Sequence, residues 1–173
     1  MARSGGPRKS GTEAGEMRPH RLALAVQYAC AAGDLPTRAQ IRRWVGAALA
    51  GDASLTVRWV DADEGRALNR DFRGKDYATN VLTFVYSEPD AWPAEGDIVL
   101  CAPVVEAEAL AQGKRLRHHQ AHLLVHGVLH LQGQDHEDDR SAAMMESLER
   151  AILRRMRIPD PYADCGVAAP EQG

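Results

Sequence analysis

HGVLHLQGQDH, residues 126–136, places histidines at His126, His130 and His136. The first two are four positions apart. On a helix they project from one face, one turn from each other. Gly133 is a helix stop that lets the chain double back. His136 can then face the first two. This reading fixes a helix, its end and a returning loop in one stretch. Three imidazoles leave a divalent ion with its charge intact and one coordination position open, which is the pattern of a catalytic zinc site and not a closed structural one. One zinc ion per chain is therefore expected. The spacing also matches the metalloprotease pattern HExxHxxGxxH. Gly127, however, stands where that pattern carries its glutamate base.

Around this stretch the neighbouring residues divide by role. Asp135 precedes the last histidine and reads either as an acceptor for a ring N–H behind the metal or as a turn or cap residue. His122 extends the same helix face by one turn and is expected as a neighbour of the site, not a ligand. His118 and His119 are expected to face solvent near the helix start. His20 has no role. A second polar cluster, LNRDFRGKDYATNVLTF at residues 68–84, holds Arg70, Arg73 and Lys75 in what reads as a loop ending in a strand. Arginine presents a planar fork matched to phosphate oxygens. Arg70 and Lys75 are thus candidate phosphodiester contacts beside Arg73, and Asn80 is either a substrate contact or a strand-end polar group, although by spacing alone the cluster also reads as a solvated charged surface. The basic run KRLRHH, residues 114–119, is a further candidate for a nucleic-acid backbone, or simply a solvated helix start.

The 173 residues suffice for one domain with a substantial core. No apolar run approaches the roughly 20 residues of a membrane span. The first residues lack the apolar core of a secretory signal. Cys30, Cys101 and Cys165 form no CxxC pair and read as reduced cytosolic thiols. With a formal net charge of −3 there is no global basic signature, so any polyanion must bind a local patch.

Residues 1–19 are rich in Gly, Ser, Pro and charge and are expected to be a disordered extension. Residues 20–162 read as the folded domain, and 163–173 as a loose tail. Alternation at Leu22, Leu24 and Val26, and again at Leu55, Val57 and Trp59, predicts two strands. Between them Ile41, Val45, Ala48 and Leu49 share a helical face. Asp61 caps a short helix through Leu68. Strands come next at 79–86 and 96–102, the last nearly all apolar and hence buried. Helices are predicted from Pro103 to Gln112, from His118 to Gln132, and from about Asp138 to Met156. Met144, Met145, Leu148, Ile152 and Leu153 are expected inward on the last. The sum is an α+β domain of about four strands and five helices, with the helices gathered toward the C-terminal end.

Three segments in this order resemble the YbeY family. HGVLHLQGQDHEDD is similar to that family's zinc-site signature. FRGKDYATNVLTF is similar to its second signature, usually RGKDKPTNVLSFP. GDIVLCAPVVEAEA is similar to its GDIVIC segment and the helix after it. Tyr77-Ala78, Val85 and Gln134 depart from the usual residues, and none of them is a metal ligand. The resemblance spans roughly residues 20–162. It implies a small mixed sheet packed against helices, and a cytoplasmic, metal-dependent endoribonuclease selective for single-stranded RNA. It further implies work on the 3′ end of small-subunit ribosomal RNA and in ribosome quality control. The implied partners are pre-rRNA and the small ribosomal subunit, with ribosomal proteins or GTPases as further candidates and no membrane. By resemblance the zinc ligands are His126, His130 and His136, and the functional loop arginine is Arg73. With glycine at position 127 and no evident carboxylate in its place, the nucleophile is either water at the ion or the RNA's own 2′-hydroxyl. Two other readings stand beside this one: a metallopeptidase, from histidine spacing alone, and a non-catalytic zinc-dependent ribosome assembly factor.

Overall fold

The computed structural model describes residues 18–163. The expected N-terminal extension and C-terminal tail, with Cys165, lie almost wholly outside the described residues. The elements are β1 (Leu22–Ala29), α1 (Arg38–Ala48), β2 (Ala53–Val60), α2 (Ala62–Arg73), β3 (Val81–Val85), β4 (Ala94–Cys101), α3 (Ala102–Ala111), α4 (Leu116–Leu131) and α5 (Asp139–Arg155). The sheet order is β1-β2-β4-β3. β1, β2 and β4 run parallel, and β3 pairs antiparallel with β4. The expected α+β fold, with a small mixed four-stranded sheet and five helices, is therefore present. The helices are not all gathered at the C-terminal end, because α1 and α2 lie between strands. The parallel pairing requires this, since parallel neighbours need a long crossover.

Period-two alternation splits the sheet residues between two layers. Leu55, Val57, Trp59, Ile98 and Leu100 pack in the main core with α1, α4 and α5. Val60, Leu82, Val99 and Cys101 face the other way, against Leu68 of α2 and Val104 of α3. β4 is central and buried over its last four residues, 98–101, as its apolar sequence predicts.

α4 is the spine. It is apolar around most of its circumference, so it is buried rather than surface-lying. Both ends are anchored by amides. Near its start, Gln120 Nε2 donates to the Asp34 carbonyl at 3.0 Å. Just past its end, the buried Gln132 donates to Ala48 O at 2.8 Å and accepts from Ala50 N–H at 2.7 Å, which ties α4 to the end of α1. α1 itself begins with a capping box in which Thr37 and Gln40 bond each other's backbone N–H. No helix among the described residues is long and apolar enough to cross a membrane.

Candidate metal centre and its cleft

α4 ends as expected at Gly133, which has φ of +89°. Gln134 N–H donates to Leu129 O and Gly133 N–H to His130 O, both at 3.0 Å. This pair of bonds is the Schellman arrangement. It satisfies the last carbonyls and turns the chain back over the helix end. His136 thereby meets His126 and His130. One ligand nitrogen from each of the three lies within 4.8 Å of the others. The Nε2 atoms of His126 and His130 are 3.1 Å apart. Two nitrogens on one tetrahedral ion at about 2.1 Å would stand roughly 3.4 Å apart, so the two helix donors stand near the separation that one divalent ion requires, with the His136 donor within reach of both. Burial, together with the neighbouring His126 and His136, lowers the His130 pKa to about 4. That ring is neutral near pH 7, as a ligand must be.

Gly127 sits between this face and the sheet. A Cβ there would lie 3.0 Å from Ile98 Cγ2 and 3.3 Å from Thr83 Oγ1. Position 127 is a close approach of α4 to β3 and β4, and the place where a peptidase would carry its base is filled by the strands.

The triad borders a cleft of about 900 Å³, also lined by Arg73, Lys75, Tyr77 and Asn80. Arg70 and Arg73 are not in a loop. α2 continues to Arg73 and is closed by Gly74, so both lie in its last turn, where cations complement the helix dipole. Arg73 Nη2 donates to Thr83 O at 3.0 Å, which fixes the guanidinium against β3. Arg70 is not among the cleft-lining residues and pairs with its neighbour Asp71 at 3.1 Å. The loop after α2 is pinned twice: Asn69 Nδ2 donates to Tyr77 O at 2.8 Å, and Arg66 makes a two-pronged bond to Asp76. Asn80 lines the cleft, while its amide donates to both Glu108 oxygens and accepts from Val81 N–H. Asp135 also lines the cleft. Its carboxylate accepts from the His136 backbone N–H at 2.6 Å, and not from an imidazole.

The carboxylate that does meet a ring is one that sequence reading missed. Glu149 of α5 is fully buried. Its Oε1 is 2.5 Å from His126 Nδ1, and its Oε2 is 2.9 Å from His122 Nε2 and accepts from the Tyr162 hydroxyl. Burial pushes the Glu149 carboxyl up, but hydrogen bonds from His122, His126 and Tyr162 together outweigh it and hold the group at about 2. Burial and the Glu149 carboxylate push the Tyr162 hydroxyl up. His122 is therefore a neighbour of the site, as expected. His119 is not at the surface. It is buried and paired with Glu108 at 2.9 Å.

Residues 36–157 match the family model described as Endoribonuclease YbeY. A relative of that name from Thiobacillus denitrificans is 63% identical over 141 residues, covering 82% of this chain and 96% of its own length. Another from Cupriavidus pinatubonensis is 57% identical over 149 residues, covering 84% of this chain and 74% of its own. The solution structure of a Thermotoga maritima protein aligns with a TM-score of 0.51 at 26% identity, over 83% of this chain and 98% of that one. The matched residues run from before α1 to the end of α5 and include the whole triad, so the chain belongs to the YbeY family.

Proposed function

We propose that this chain is a zinc-dependent endoribonuclease that cuts single-stranded RNA. It acts in the cytoplasm on the 3′ end of small-subunit ribosomal RNA and in ribosome quality control. The observation that carries the reading is the convergence of three imidazoles on a cleft that Arg73 and Lys75 also line. The relatives' name, Endoribonuclease YbeY, supports RNA as the substrate. Pre-rRNA, the small subunit, and a ribosomal protein or GTPase that recruits the chain are the partners this implies.

His126, His130 and His136 hold the ion. When bound, it supplies Lewis acidity toward a phosphoryl oxygen and acidifies water. Lys75 draws the RNA backbone into the cleft. The Arg73 guanidinium has five N–H donors. Its bond to Thr83 orients it, and its other donors stabilise the charge that builds on the phosphoryl oxygens. Asn69 and Asn80 hold the loop between them, so Arg73 and Lys75 meet the substrate without a large ordering cost. No side chain at position 127 takes the proton of the attacking group. Attack by the RNA 2′-hydroxyl leaves a cyclic phosphate on the upstream product, whereas attack by water does not, so analysis of product ends separates the two.

The test is cleavage of a defined single-stranded RNA by the purified chain and by His126→Ala, His130→Ala and Arg73→Ala. The proposal requires loss of cleavage in all three, and full activity in all three would refute it. The net charge of −3 favours one second reading, a non-catalytic zinc-dependent assembly factor brought to RNA by a protein partner. That reading gains if the wild-type chain binds pre-ribosomal particles but cuts no RNA. The closed packing at Gly127 speaks against a metallopeptidase, and casein digestion by the wild type would revive it.

A further inference from the structure

The buried stripe of α5 is Met145, Glu149, Ile152 and Leu153. A carboxylate at the centre of an apolar stripe is costly unless every oxygen is paired. Here three donors converge on it: His126 Nδ1, His122 Nε2 and the Tyr162 hydroxyl. Glu149 is fully buried and is absent from the cleft lining, so it cannot act on substrate. What it can set is the state of His126. A neutral ring bonded to a carboxylate through Nδ1 carries its proton there, leaving Nε2 bare. That Nε2 is the atom 3.1 Å from His130 Nε2.

The third donor comes from the end of the described chain and is itself strapped down. Asp160 Oδ1 accepts from Tyr162 N–H at 2.9 Å and from Arg150 Nε at 3.2 Å. Lys114 Nζ donates to Pro161 O at 2.7 Å. The Arg150 guanidinium stacks 5.0 Å over the Tyr162 ring. Tyr162 lies beyond residues 36–157, the span of the family match.

We propose that Glu149 is the positioning residue of the metal centre, holding His126 with Nε2 presented to the ion, and that Tyr162 and its C-terminal strap hold Glu149 in place. The inference rests on the reading of the triad as a metal site. A carboxylate behind a ligating imidazole fixes its tautomer and raises its basicity, and losing such a partner weakens metal binding by roughly 10–100-fold. A merely structural role for Glu149 would alter stability and leave the metal affinity of folded protein alone.

The test uses metal-free full-length chain: wild type, Glu149→Gln, Glu149→Ala and Tyr162→Phe, each first shown to unfold cooperatively. Zn²⁺ affinity is read by competition with a chromophoric chelator, and ligand geometry by the visible spectrum of the Co²⁺ form. The expected loss of Zn²⁺ affinity is up to about 100-fold for Glu149→Ala, about tenfold for Glu149→Gln, and smaller but measurable for Tyr162→Phe, with an altered Co²⁺ spectrum in the first. Should Glu149→Ala not fold, the Gln and Phe variants carry the test. Wild-type affinity and spectrum in both of those would overturn the proposal while leaving the metal site standing. Failure of the wild type to take up either ion would overturn the metal reading and this inference with it.

Discussion

Replacing Gly127 with glutamate would write the peptidase pattern into this chain in full, at a position where even a Cβ presses on its neighbours. The new Cβ would stand 3.0 Å from Ile98 Cγ2, 3.3 Å from Ile98 Cδ1 and 3.3 Å from Thr83 Oγ1. Ile98 is fully buried in the central strand, so it has little room to give. Gly127→Ala isolates the backbone and contact effects. A mid-helix alanine gains about 1 kcal/mol over glycine, and overpacking costs about 1–3 kcal/mol, so the net is a loss of roughly 0–2 kcal/mol. Glutamate adds the burial of a polar carboxyl against the apolar Ile98 side chain, raising the loss by about a further 1–3 kcal/mol. A total of about 3 kcal/mol lowers Tm by roughly 6–12 °C in a domain of this size. Urea unfolding of wild type, Gly127→Ala and Gly127→Glu, read by tryptophan fluorescence, measures all three, with a casein digestion run alongside. We expect the order wild type, Ala, Glu in falling stability and no proteolysis. A Gly127→Glu protein as stable as wild type that digests casein would refute the packing argument and reopen the peptidase reading.

The same contacts set the outcome of other perturbations. Arg73→Ala removes one bond, to Thr83, so unfolding should shift by no more than about 1 kcal/mol, while single-turnover RNA cleavage falls by roughly 10²–10³-fold; Arg73→Lys should also be impaired, because a point charge does not replace the fork. Stripping metal with a chelator should lower stability by the linkage amount, about 4 kcal/mol where free metal stood at 1,000 times Kd, and differential scanning fluorimetry reads the fall in Tm directly. Thr37→Ala, which breaks the capping box of α1, should cost about 1 kcal/mol and leave metal affinity unchanged. Asp138 caps α5, and the Ser141 backbone N–H holds its carboxyl below the usual range. A folded pKa below the unfolded one stabilises above the unfolded value and is lost as pH falls through the folded one. The Tm gap between wild type and Asp138→Ala should therefore be full at neutral pH and close as the pH falls below about 4.

The histidine cluster was legible because it is local: an i, i+4 pair on a helix, a glycine stop and one returning histidine. The strands and four of the helices were legible from period two and period 3.6. What escaped was non-local or compensated. α2 runs on through Asn69 to Arg73 although it buries only Gly65 and Asn69, so no apolar stripe marks its second half. The inward face of α5 is rotated from the one hydrophobicity suggests. Met144 and Leu148 are exposed, and Glu149 is buried. Glu149 was nonetheless marked by its spacing, four after Met145 and four before Leu153. Apolar counting passed over it because its partners, His122, His126 and Tyr162, come from other elements. His119 hid for the same reason, its burial being matched by Glu108 from α3.

On the function proposed above, the three histidines make one metal site that cuts RNA. The most direct measurement of that claim is a titration of metal-free chain with Zn²⁺ while cleavage of a defined single-stranded RNA is followed, with His130→Ala in parallel. In the wild type, cleavage should rise with metal and saturate at one equivalent; the variant should show none at the same metal concentration. Equal cleavage with and without metal, or in His130→Ala, would contradict the claim.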